Sequence, residues 1–324
     1  MSMRILVTGA SGFLGGVLTR RLLSRGHGVI AVGRDHAKLA KLARLDAETL
    51  ALDLSAPESL PAQLTCDATV HCAALSSPWG RRADFFKANV VGTQSALRLA
   101  EHAGARRFVH ISTPSLYFRF QDQIGVREDA PLPRPVNAYA ETKRAAEGLV
   151  LAARGLDSIV LRPRGLYGAG DTTLLPRLVA AARGRALPLM NDGRAATDLT
   201  YVGDVAHAIC AALIVPPQKQ CIFNISGGQA LNVREIAERA AKRAGVAVRW
   251  RRAPTAAVLA YARACEAFCG LLPHHPEPPI TAYGAGLFAF SQTLDISAAK
   301  AQLGWTPRTN FDEGLELAFA GEPT

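Results

Sequence analysis

The stretch RILVTGASGFLGG, Arg4–Gly16, decides the fold. Its first residues are a short apolar run that reads as a strand, and Phe13 to Arg25 reads as an amphipathic helix directly behind it. Gly9, Gly12 and Gly15 stand between the two in a G-x-x-G-x-x-G spacing, a variant of the glycine turn that brings backbone close to a pyrophosphate. A helix starting near Gly12 aims free N–H groups at such an anion. Ser11, Phe13 and Leu14 fill the same turn and count with the three glycines as cofactor-binding positions.

Working outward, short apolar runs alternate with helical segments through the first half. Candidate strands are Arg4 to Val7, Val29 to Val32, Thr49 to Leu52, Ala68 to Cys72, Arg107 to Ser112 and Ser158 to Arg162. Helical patterns cover Phe13 to Arg25, Phe85 to Ala103 and Ala138 to Ala153. The strands are continuously apolar rather than alternating, as expected when helices cover both faces of a parallel sheet. This predicts an α/β fold: a Rossmann-like doubly wound parallel sheet in the order 3-2-1-4-5-6, with a smaller, mainly C-terminal substrate lobe. The expected division is residues 1–170 for the dinucleotide-binding domain and 171–324 for the lobe, with one segment within 195–225 returning to the sheet. A helix is expected from Leu174 to Arg183, and Asn232 with Glu235 has the capping-box spacing for another.

The chain has 324 residues with 49% hydrophobic and 20% charged, which fits a globular protein and not a disordered one. Its net charge of +10 is dispersed, and aromatics are only 6% with no recurring basic and aromatic element, so nucleic acid is not an expected partner. The N-terminus lacks the apolar segment of a signal peptide and no run suits a membrane span. Six cysteines, Cys66, Cys72, Cys210, Cys221, Cys265 and Cys269, show no paired ligand spacing; a reduced, cytoplasmic protein without a metal site is expected. Ala256 to Leu272 is apolar enough to pack on a partner or a membrane surface, although a buried helix is the preferred reading.

The end of the second strand bears on the cofactor. Gly33 stands at the position of the usual acidic residue, and Arg34 follows it, a guanidinium suited to a 2'-phosphate. NADP(H) is therefore expected, with Lys38 as a weaker phosphate neighbour; Asp35, if turned to the ribose, keeps NAD(H) open. After the third strand, Asp53 and Leu54 fall where adenine would sit, and Ala73 and Ala74 leave room for the nicotinamide half. His71 is expected to pack beside its strand rather than act as a base.

Within NAYAETKRAAEGLV, Tyr139 and Lys143 are four residues apart on one helix face. With a dinucleotide site in place, the phenol becomes a proton donor whose ionisation a neighbouring ammonium favours. Thr113, at the end of the fifth strand, would point at the same substrate oxygen.

The motifs TGASGFLG, HCAA, NVVGTQ, FVHISTPSLY, YAETK, LRPRGLYGAG and YVGDVAHAI together resemble the extended short-chain dehydrogenase/reductase superfamily over nearly the whole chain. The resemblance implies catalytic roles for Thr113, Tyr139 and Lys143, a supporting role for Asn89, and a nicotinamide contact at Pro163. Dehydratases of this superfamily usually carry an acidic pair after the threonine; Pro114 and Ser115 stand there instead. The C-terminal segment is similar to the 3-beta-hydroxysteroid dehydrogenase branch. That likeness implies a 3-hydroxy/ketone oxidoreductase of a largely apolar substrate, with Leu259, Tyr261, Phe268, Leu271 and Leu272 as candidate lobe contacts or simply core. The alternative enzyme is a nucleotide-sugar epimerase or 4-reductase, with Arg162, Arg164, Arg177, Arg183, Arg185 and Arg194 available for a diphosphate. A non-catalytic dinucleotide-binding regulator is the reading from another class. Homodimerisation through NVVGTQSALRLAEHAG and YAETKRAAEGLV is also implied by the resemblance, while the same helices would serve equally as monomer core.

Overall fold

The computed structural model describes residues 2–56, 63–184, 186–217 and 221–321. Seven parallel strands form its centre: β1 (Arg4–Thr8), β2 (Gly28–Gly33), β3 (Glu48–Ala51), β4 (Ala68–His71), β5 (Arg107–Ile111), β6 (Asp157–Pro163) and β7 (Ile222–Ile225). Their spatial order is 3-2-1-4-5-6-7, so the chain reverses direction across the sheet between β1 and β4. Such a reversal opens a crevice at the carboxyl ends of the strands.

Alternation along each strand explains the two covering layers. Ile5 and Val7 of β1 enter the same core as Leu14, Val17 and Leu18 of α1 (Phe13–Ser24), whereas Leu6 points into the opposite core. In the loop that follows β2, Asp35 caps α2 (His36–Ala43). The short helix α3 (Arg82–Phe85) continues through a π-helical turn at Phe86–Val91 into α4 (Gly92–His102), and α5 (Ala138–Ala152) lies beside it. Ala96, Leu99 and Ala100 of α4 join Val150 of α5 and Phe108 of β5 in that second core, all of them fully buried.

After β6 the chain forms α6 (Leu175–Gly184) and α7 (Val202–Ile214), the latter packing beside α1 on the first face. The second lobe adds α8 (Val233–Arg243), α9 (Thr255–Leu271) and α10 (Ala282–Ala289). A four-stranded sheet in that lobe orders 230–232, 196–198, 292–294 and 123–126 side by side. Thus a strand from before residue 170, Gln123–Val126, pairs with Gln292–Leu294 near the C-terminus.

The capping box expected at Asn232 and Glu235 does not form. Asn232 pairs in the small sheet with Ala196, and the N–H of Val233 is satisfied by the Ala195 carbonyl, so no side-chain cap is made. A complete capping box occurs instead at Asn310 and Glu313, at the start of the helix Phe311–Phe319.

Gly9 shows how tightly the first turn sits on the sheet. Its φ is +68°, and a Cβ there would lie 2.7 Å from the backbone nitrogen of Ala73, on the strand end across the crevice. A side chain at this point meets both a disfavoured dihedral and a backbone that cannot yield. Gly9→Ala should therefore lower the unfolding free energy by about 1–3 kcal/mol. Chemical denaturation measures this, and an unchanged midpoint would show that the turn has slack.

Candidate active site

The carboxyl edge of the sheet gathers the expected cofactor positions. Gly12 is the N-cap of α1 with no side-chain cap, and the first turn carries no acidic residue, so its amide groups are available to an anion. Across the crevice, Ala73 N–H lies 3.4 Å from the Thr8 hydroxyl, and Pro163 ends β6. These features fit a dinucleotide laid from the α1 turn across the ends of β4 and β6.

At the adenine end, Gly33 serves a packing need: a Cβ there would fall 2.7 Å from the Ser11 hydroxyl. Asp35 does not turn toward a ribose, because its side chain accepts from the Lys38 N–H at 3.0 Å and caps α2. The Asp53 carboxylate accepts from the Ser55 N–H (2.9 Å) and hydroxyl (2.7 Å), and these bonds hold its pKa below the usual range against the opposing effect of burial. Arg34 is 74% exposed, and its guanidinium lies 3.9 Å from Asp53.

The Tyr139 phenol is hydrogen-bonded to Thr113 and to Ser76. Burial pushes its pKa above the usual value, those two hydroxyls oppose the rise, and nearby Tyr283 adds to it. Helix α5 begins with an Asn137 cap on Ala140 N–H at 2.9 Å, which places Tyr139 in the first turn. Asn89 positions the opposing loop: Leu75 N–H donates to its Oδ1 at 2.7 Å, while its amide donates to the Leu75 carbonyl (3.2 Å) and the Thr142 hydroxyl (3.1 Å). This asparagine is buried within the π-helical turn, and Ser76 follows directly after Leu75, the residue that Asn89 grips.

Lys143 is 2% exposed and donates to the Ile111 carbonyl at 2.6 Å, with His110 Nε2 at 3.4 Å. It does not figure among the groups acting on the phenol. Burial lowers its pKa to about 8, while Glu147 and Cys72 act in the opposite direction. Its surroundings are otherwise neutral. His71 bridges the Thr8 hydroxyl (2.7 Å) and the Thr93 hydroxyl (2.9 Å), and burial followed by the Lys143 charge drives its pKa down to about 3. It therefore packs as a neutral ring, as expected. Burial raises the Cys72 thiol to about 12.

Glu147, Ser76, Ser115, His110 and Tyr283 belong to this arrangement and were missed from the sequence. Glu147 had a legible signal, since Tyr139, Lys143 and Glu147 continue one i, i+4 ridge on α5. Its carboxylate accepts from the Ser112 hydroxyl at 2.6 Å and from both Nε and Nη2 of Arg162. Arg162 is thus a buried ion-pair partner, not a diphosphate contact. Arg164 is also buried, with Nε donating to the Thr197 hydroxyl at 3.0 Å, and Arg177 pairs with Glu277 at 2.9 Å. Arg183 and Arg194 are exposed, and Arg185 lies outside the described residues. On α9, Leu259 is core, whereas Tyr261, Phe268 and Leu271 face outward, Leu271 with 86% exposure.

With this geometry in view, comparison with known proteins decides the family. A model of the NAD dependent epimerase/dehydratase family matches residues 5–226. The chain belongs to that family. It is an NAD(P)-dependent dehydrogenase/reductase of the extended short-chain type. It is 33% identical to the 2-alkyl-3-oxoalkanoate reductase of Stenotrophomonas maltophilia, over 97% of this chain and 97% of that one. It is 32% identical to the 4-hydroxy-2-methyl-3-oxo-4-farnesyl-3,4-dihydroquinoline-1-oxide ketoreductase of Stigmatella aurantiaca, covering 99% and 97%. Among solved structures, MoeE5 in complex with UDP-glucose and NAD is similar over 98% of both chains, with 27% identity and a TM-score of 0.75. These matches carry the superfamily; the expected nearer kinship with the 3-beta-hydroxysteroid branch finds no more support in them than kinship with the epimerases.

The expected preference for NADP is overturned. MoeE5, the similar structure, holds NAD in both of its complexes. The physical reason lies beside Arg34: the Asp53 carboxylate already faces that guanidinium and opposes a second anion there. Among the described residues, no helix is long and apolar enough to cross a membrane.

The Lys143 shift has a definite sign. From its ordinary value of 10.5, burial lowers the group to about 8 in the folded protein. Below pH 8 both states hold the proton and the buried charge opposes folding in full. As pH rises from about 8 to 10.5 the folded protein has shed a proton that the unfolded chain retains, so stability rises. The unfolding free energy of wild type relative to Lys143→Met should therefore move in favour of wild type across that window. A flat or falling difference in denaturant titrations would contradict the shift.

Proposed function

We propose that this chain is an NAD-dependent oxidoreductase interconverting a hydroxyl and a ketone on a largely apolar 3-oxo compound. The observation that carries it is the Tyr139 phenol, held between the Thr113 and Ser76 hydroxyls at the carboxyl end of β5. The nicotinamide supplies or accepts the hydride when bound. Thr113 orients the substrate oxygen, and Tyr139 gives it a proton as the ketone is reduced. Lys143 supplies positive charge beneath the site, and Asn89 fixes the Leu75–Ser76 loop against α5. Gly9, Ser11, Gly12, Phe13, Leu14 and Gly15 bind the pyrophosphate side, Asp53 and Leu54 the adenine side, and Ala73, Ala74 and Pro163 the nicotinamide side. Arg34 serves the adenosine half as an exposed neighbour.

Two features support an apolar ketone. Both full-length relatives above are named for reducing 3-oxo compounds with alkyl or farnesyl substituents. Next to the phenol, Phe85 lies 6.4 Å from the Tyr139 ring, and an edge-on aromatic series runs from Tyr283 through Phe118 and Phe120 to Phe290. The solved structures favour the second reading, a nucleotide-sugar epimerase, since MoeE5 was solved with UDP-glucose and with UDP-glucuronic acid. That reading uses the same Thr113, Tyr139 and Lys143, with oxidation and re-reduction at one sugar carbon.

NADH absorbance separates these. Wild type should consume NADH with 3-oxoalkanoate esters, and Tyr139→Phe should lose roughly 10²-fold or more of kcat while binding NADH nearly as well. Undiminished turnover in that variant would refute the phenol's role. Epimerisation of UDP-glucose without net NADH consumption, together with inertness toward the ketones, would hand the substrate assignment to the second reading.

A further inference from the structure

Thr113 does more than face the phenol. It ends the strand-to-turn connection with an extended backbone, and its hydroxyl accepts from the Ser115 N–H at 3.2 Å, capping the 3-10 turn Pro114–Leu116. The same hydroxyl donates to the Ser115 hydroxyl at 3.1 Å, and Ser115 meets the Tyr283 hydroxyl at 2.8 Å. Four side-chain hydroxyls, Tyr139, Thr113, Ser115 and Tyr283, therefore form one continuous chain. Thr113 and Ser115 are buried, whereas Tyr283 is partly exposed.

The last member comes from α10 in the second lobe, 168 residues from Ser115, and its placement is overdetermined. Thr281 caps α10 through the Gly284 N–H at 3.0 Å, and Glu266 of α9 accepts from the Ala282 N–H at 2.8 Å. Gly286 lets the helix press on Phe118, where a Cβ would fall 2.8 Å from the ring. The Tyr283 ring then stands edge-on to Phe118 with centroids 5.0 Å apart. These contacts fix the Tyr283 ring with its hydroxyl on Ser115.

We propose that Tyr283 and Ser115 are positioning residues that carry the proton between solvent and the Tyr139–Thr113 pair. This rests on the oxidoreductase reading above. After Tyr139 has protonated the substrate oxygen, its phenolate takes the Thr113 proton, Thr113 takes that of Ser115, Ser115 that of Tyr283, and Tyr283 is reprotonated by water. Only O–H bonds form and break, and the net change is one proton moved from solvent to the phenolate. In the oxidising direction each transfer runs the other way. Every hydroxyl can both donate and accept, so the chain reverses without moving a heavy atom.

The test compares Tyr283→Phe, Ser115→Ala and Tyr139→Phe in the full chain, with NADH and a 3-oxoalkanoate ester. Tyr283→Phe keeps the ring on Phe118 and removes only the oxygen. For Tyr283→Phe and Ser115→Ala, kcat should fall about 10-fold or more with KM and NADH affinity little changed, and added imidazole should restore part of it as a diffusible proton carrier. An unchanged kcat, a loss confined to KM, or a fall in kcat that imidazole does not relieve would each overturn the relay; the second would make Tyr283 a substrate contact. Full turnover in Tyr139→Phe would remove the underlying reading and the relay with it.

Discussion

The buried pair of Glu147 and Arg162 is the interaction on which the geometry of the site depends. Both side chains are at most 5% exposed, and Arg162 grips Glu147 through two nitrogens while a third donates to the Tyr117 hydroxyl. The pair ties the middle of α5 to β6, and Ser112 at the end of β5 joins the same carboxylate. Breaking such a pair by removing one partner costs about 3–5 kcal/mol, because the charge left behind is neither solvated nor matched. Tyr139 lies two turns earlier on the same helix, so the phenol inherits its distance from the sheet edge from this anchor.

Around that anchor His71, His110 and Cys72 are buried and neutral. His71 and His110 stack with ring centroids 5.3 Å apart, and burial lowers the pKa of both, followed by the effect of the Lys143 charge. Cys72 stays a thiol for the same reason of desolvation. Lys143 is therefore a buried positive charge beside neutral rings and a neutral thiol, with Glu147 as its nearest opposing charge. Its tie to the Ile111 carbonyl fixes the direction from which it acts.

The second lobe is bound into the same construction. Tyr117, which accepts from Arg162, donates to Asn224 of β7 at 3.0 Å; Asn224 in turn donates to the carbonyls of Val126 (2.9 Å) and Asp295 (3.2 Å). Those carbonyls belong to segments that reach the small sheet of the lobe. The ion pair behind the phenol is thus three hydrogen bonds from the lobe that sets Tyr283. The closeness of the two hydroxyls is a property of one polar network rather than of two independent parts.

Local pattern alone determined the parallel sheet, the glycine turn and the helix carrying Tyr139 and Lys143. In those segments short-range periodicity and tertiary demand coincide: apolar runs of strand length must be covered on both faces, and a helix start after a strand leaves amide groups for an anion. Arg34 and Asn232 show where pattern misled, because spacing does not encode their tertiary neighbours, Asp53 beside the one and strand 196–198 beside the other. Six arginines looked alike in sequence, yet Arg162 and Arg164 are buried among fixed partners while Arg183 and Arg194 face water. Only the tertiary structure brought Ser76, Ser115 and Tyr283 to the phenol. Hydrogen bonds act over about 3 Å in space, and residues 76, 115, 139 and 283 come from different strand ends and a different lobe, so no local period could announce their meeting.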